Sequence, residues 1–119
     1  MEIEYVRSRF IKHFDGKTGN IYHSPGRINL IGEHTDYNGG FVFPGAVEQG
    51  IMAEVRPNGQ QTCNVYSIDL KDMVHFKIDD PKGPSATWAR YIYGVVQEMR
   101  ALGVDVKPFN AAFAGDVPL

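Results

Sequence analysis

Only two stretches of this chain repeat apolar residues at helical intervals, and strand-like runs lie between and after them. Over residues 4–14, Val6, Phe10, Ile11 and Phe14 share one side of a helix that Asp15-Gly16 brings to a stop. Over residues 88–102 the signal is stronger: Trp88, Tyr91, Ile92, Val95 and Met99 line one face, and Gly103 is placed to end it. Strand candidates are residues 21–23, 41–43, 50–56, 62–66, 74–78 and 109–114. The order helix, several strands, helix, strand implies an α+β fold over a doubly wound parallel sheet, which needs a helix between successive strands. The strands between residues 50 and 78, separated by Pro57-Asn58-Gly59 and by Asp69-Leu70-Lys71-Asp72, are expected to form a meander.

A chain of 119 residues supports one modest domain, because domains cluster at about 100–150 residues. With 43% hydrophobic and 22% charged residues it is an ordinary globular sequence, without the bias of a disordered or fibrous one. The formal net charge is −2 and no Lys/Arg run occurs, so the electrostatic footprint of a nucleic-acid binder is missing and a small-molecule partner is expected. Cys63 is the single cysteine, which excludes an internal disulfide and fits a reducing compartment. The start, Met1-Glu2-Ile3-Glu4, is acidic where a secretory signal is basic, and no apolar run reaches the roughly 20 residues of a membrane span, so a cytoplasmic location is expected. The end, Gly115-Asp116-Val117-Pro118-Leu119, breaks off directly after a strand and reads as a truncation.

The densest chemistry lies in residues 24–40, SPGRINLIGEHTDYNGG. Residues 24–26 read as a turn, residues 27–38 as loop-like, and Asn38-Gly39-Gly40 as a tight turn before residues 41–43. Glu33, His34 and Asp36 are flanked by glycines, so an irregular backbone can aim several hydrogen-bonding groups at one point. Carboxylates accept from hydroxyls and His can donate or accept, which suits a polyhydroxylated ligand. Two other readings remain open on the residues alone. One His and two carboxylates are a weak pattern for a divalent metal, and Asp36 and Asn38 could simply cap backbone groups in a polar turn. His13, His23 and His75 have no partner pattern and carry no assigned role, and Cys63 reads as a buried strand residue.

The string SPGRINLIGEHTDYNGGFVFPGAV resembles the signature of the galactokinases, members of the superfamily that also holds homoserine and mevalonate kinases. Thr35-Asp36-Tyr37-Asn38 is the continuation that mevalonate kinases generally lack. Val65-Tyr66-Ser67 and WARYIYGV at residues 88–95 extend the resemblance over nearly the whole chain. It implies the N-terminal part, residues 1–119, of a two-domain fold of the ribosomal protein S5 domain 2-like type, with the sugar signature at residues 24–40. It implies ATP-dependent phosphorylation of galactose to galactose 1-phosphate, with ATP, Mg²⁺ and galactose as ligands. By the resemblance Glu33, His34 and Asp36 contact sugar hydroxyls, and Arg27 sits beside the transferring phosphoryl group. A guanidinium there stays charged and can stabilise the developing negative charge. Ser67 resembles a position near the nucleotide, though it could equally cap a turn, and Trp88 and Tyr91 could help line the adenine pocket, with core packing the open alternative for Trp88. Aromatics at helical spacing are more often core, and packing is the reading for Tyr91. No residue is assigned to a metal. The phosphate-binding loop, the catalytic aspartate and the C-terminal domain of such an enzyme are expected beyond this chain, so the fragment is expected to be inactive alone and to self-associate. Kinases of N-acetylgalactosamine, galacturonate or arabinose, and a sugar sensor that binds without turnover, are the alternatives.

Overall fold

The computed structural model describes residues 2–29 and 44–115, with side chains for residues 2–24 and 50–115. In chain order the elements are α1 (Ile3–His13), β1 (Asn20–Asn29), β2 (Pro44–Pro57), β3 (Cys63–Ser67), β4 (Asp72–Phe76), α2 (Thr87–Ala101) and β5 (Phe109–Gly115). The five strands form one sheet in the order β1-β2-β5-β3-β4. All neighbours are antiparallel except β3 and β5, which run parallel.

This order replaces the expected meander. β5, last in sequence, lies between β2 and β3. The reason is its side chains: Ala111, Ala112 and Ala114 are buried, and a strand covered on both faces must be small or apolar throughout. One helix covers each face. α1 sets Val6, Phe10 and Phe14 against Met52, Tyr66, Ile68, Ala112 and Ala114. α2 and the residues around it pack on Cys63, Val65, Phe76 and Ala111 on the other face. Cys63 is fully buried, as expected, and that burial pushes its thiol pKa up, with a backbone hydrogen bond at Phe109 opposing in part.

Both helices occupy the predicted stretches, but the buried stripes are offset from the predicted ones. In α2 the buried residues are Ala89 and Val96, with Trp88, Ile92 and Tyr93 partly buried, whereas Tyr91 is 75% and Val95 60% exposed. Ala89 lets the helix approach the sheet closely, and Gln97 and Arg100 both donate to the Ile78 carbonyl oxygen, each at 2.7 Å, which fixes the rotation. In α1, Ile11 is likewise exposed while Phe14 closes the core. α2 stops as expected: Gly103 takes φ +88°, and the Val104 N–H donates to the Met99 carbonyl in a Schellman arrangement.

β1 is longer than predicted. Instead of turning at residues 24–26 and loosening into a loop, it continues to Asn29, with a register shift between Pro25 and Arg27. Proline removes a ladder donor, and an edge strand with a bulge is where a sheet tolerates that. The predicted turn at residues 38–40 and strand at residues 41–43 lie outside the described residues.

Candidate functional site

β1 and β2 form a long ribbon, and residues 24–29 of the signature lie in β1. Arg27 belongs to β1 and pairs through its backbone with Ala46 of β2, just past the register shift. Glu33, His34 and Asp36 lie outside the described residues.

Ser67 and Trp88 are distant in sequence but line the same groove. α2 covers the sheet above β3 and β4 and leaves β2 and part of β5 open beside it. The resulting groove has a volume of about 1270 Å³ and is walled by Ile51, Ala53 and Val55 of β2, by Phe109, Ala111 and Phe113 of β5, and by Trp88, Tyr91 and Ile92 of α2. The Trp88 indole is held rather than free. Its Nε1–H donates to Asp72 Oδ2 at 2.9 Å, and its ring lies 5.5 Å from that of Phe113 with the planes inclined at 54°. Tyr91 does not pack in the core as expected; it stands on the wall of the groove, largely exposed.

Ser67 sits at the end of β3, 3% exposed, and its Oγ accepts the Leu70 N–H at 3.3 Å. The hydroxyl therefore caps the turn into β4, where Lys71 adopts φ +51°. Asp69 reinforces the same corner, its Oδ2 accepting the Gly115 N–H at 2.8 Å. The groove thus combines a broad apolar surface, one fixed indole, one exposed phenol and a polar corner. Such a surface suits a flat, partly apolar ring system and offers little to a bare ion. Among the described residues no group of three or more His, Cys, Asp or Glu side chains is placed to hold a metal.

Sequence reasoning missed the charged group at the other side of the sheet. Glu54 is fully buried and paired with Arg7, its Oε1 accepting from Arg7 Nε at 2.9 Å. The partners are too far apart in sequence for any local pattern to join them.

The family model described as galactokinase galactose-binding signature matches residues 8–57, which contain β1, β2, Arg27, Glu33, His34 and Asp36. The galactokinase of Roseiflexus sp. (strain RS-1) is 40% identical over 113 residues, 95% of this chain and 29% of that protein. That of Clostridium perfringens (strain SM101 / Type A) is 34% identical over 122 residues, 99% of this chain and 32% of that protein. Among solved structures, Lactococcus lactis galactokinase complexed with galactose matches with a TM-score of 0.83 at 32% identity, over 98% of this chain and 31% of that one. Methanococcus jannaschii mevalonate kinase matches with a TM-score of 0.68 at 15% identity, covering 87% of this chain and 34% of that one, which is a likeness of fold alone. The chain therefore spans only 29–32% of the length of these galactokinases.

Proposed function

We propose that this chain is a galactokinase-family segment and that the full-length protein phosphorylates galactose at its anomeric hydroxyl, consuming ATP and giving galactose 1-phosphate. The observation that carries the reading is the match of the galactose-binding signature to residues 8–57. It covers the whole cluster that the residues themselves suggested for a polyhydroxylated ligand.

In this reading Glu33 and Asp36 accept hydrogen bonds from sugar hydroxyls, and His34 donates or accepts as its tautomer requires. Paired acceptors discriminate between epimers, because a misplaced hydroxyl leaves a carboxylate oxygen unpaired. Arg27 stands at the phosphoryl group, where a permanent cation favours the charge of transfer more than that of the ground state. The groove fits the nucleotide base: a purine ring stacked on an indole gains about 1–3 kcal/mol, and the Trp88 indole is already immobilised by Asp72 and Phe113. Trp88 and Ser67 are accordingly the nucleotide contacts, with Tyr91 beside them. When bound, ATP supplies the phosphoryl group and Mg²⁺ spreads the phosphate charge; no residue of this chain is assigned to the metal. The protein acts in the cytoplasm, a reading supported by its lone, buried cysteine. No helix among the described residues is long and apolar enough to cross a membrane.

The test is ADP release by the full-length protein over a panel of sugars. Galactose-dependent release, with N-acetylgalactosamine, galacturonate and arabinose well below it, is expected; release that follows another sugar would overturn the assignment.

A further inference from the structure

One buried charge takes no part in this scheme. Glu54 lies in β2 facing α1 and is fully buried. Its Oε1 accepts from Arg7 Nε at 2.9 Å and its Oε2 accepts the Gly19 N–H at 2.7 Å, while Arg7 Nη2 donates to the Gly19 carbonyl at 3.4 Å. The ring so closed joins α1, the entry to β1, and β2. The approach at Gly19 is close enough that a Cβ there would lie 2.3 Å from the Val55 carbonyl oxygen. Gly19 directly precedes Asn20, whose pairing with Val55 begins the β1–β2 ladder that runs on to Arg27 and Ala46.

We propose that Glu54 is a positioning residue, its carboxylate setting the register of β1 on β2 and so the place to which Arg27 is delivered. The inference rests on the reading of Arg27 given above. Arg7 is partly exposed, but the Glu54 carboxylate is fully buried, and such a charge is a poor source of stability because its desolvation offsets the attraction. Its best-attested use is to make one pairing unique. β1 needs such a device. Among the described residues it is an edge strand, Tyr22 is 58% exposed, and Pro25 offers no ladder donor, so few contacts besides the ladder to β2 hold it in place. A slip of one residue turns every later side chain to the opposite face, Arg27 included.

The experiment uses the full-length protein with Glu54→Gln and with the double replacement Arg7→Leu/Glu54→Leu, each also combined with Arg27→Ala. The double replacement is expected to melt within a few degrees of the parent. Its kcat should nevertheless fall about tenfold or more, as a misplaced cation requires. In the Arg27→Ala background the same change should cost nothing further. Hydrogen exchange should speed up at residues 20–29 in both variants and stay unchanged in β5. Parental kcat in the double variant, or an undiminished loss in the Arg27→Ala background, would overturn the proposal. If the double variant does not fold, Glu54→Gln, which keeps the shape and alters the acceptor set, decides by the same readouts. If the parent shows no galactose-dependent turnover, the functional reading fails, and exchange at residues 20–29 alone decides the register claim: parental protection there contradicts it.

Discussion

In the proposed reading Arg27 and Asp36, which belong to one signature, answer to different parts of the reaction. A cation at the transferring group acts on the transition state, so in the full-length protein Arg27→Ala should lower kcat about 100-fold or more and change KM for galactose little. Asp36→Ala removes a charged acceptor from the sugar and should raise KM about 10- to 100-fold. Steady-state kinetics separate the two; an effect of Arg27→Ala confined to KM would reverse the assignment. These residues are legible in the sequence because the signature is contiguous and its polar density is unusual between two strands. Glu54 and Arg7 are not, since a lone glutamate in a strand ordinarily faces water and only the folded sheet reveals its partners. Ser67 was legible as two alternatives that do not exclude one another: its Oγ accepts the Leu70 N–H and caps the turn, and the residue also lines the groove in which the nucleotide contact is proposed.

The elements were legible where periodicity is local. α1, α2 and β5 fall within a residue or two of the stretches that their patterns mark. What the pattern does not encode is how a helix is rotated. Trp88, Tyr91, Ile92, Val95 and Met99 form a stripe wider than the sheet covers, and Ala89 with Val96 forms the line that is buried. Val96→Ala should therefore cost about 1–3 kcal/mol, and Val95→Ala less than about 0.5, in chemical denaturation of the chain. Equal effects would mean that the buried line has been misplaced. The strand order was equally hidden. Nothing in residues 50–78 announces that β5 will separate β2 from β3, because a two-sided burial pattern specifies a central position without naming the neighbours.

At the scale of the molecule, the described residues leave apolar surface open beside α2. Ile51 is 50%, Tyr91 75%, Val95 60% and Leu102 83% exposed, and the groove continues the same surface. Covering a few hundred Å² of it would contribute several kcal/mol at about 25 cal/mol per Å², comparable to the stability of a small domain. The 119-residue chain alone should accordingly self-associate between low and high micromolar concentration. Light scattering coupled to size exclusion checks this, and a concentration-independent monomer of 13.3 kDa would contradict it. In the proposed reading this segment supplies the full-length protein with the sugar signature and with one wall of a nucleotide groove. The most direct measurement is the ³¹P NMR spectrum of a reaction containing full-length protein, ATP, Mg²⁺ and galactose labelled with ¹³C at its anomeric carbon. The account predicts a new phosphate monoester resonance coupled to that carbon, growing as ATP is lost; galactose binding with the ATP resonances unchanged would show a sensor rather than a kinase and contradict it.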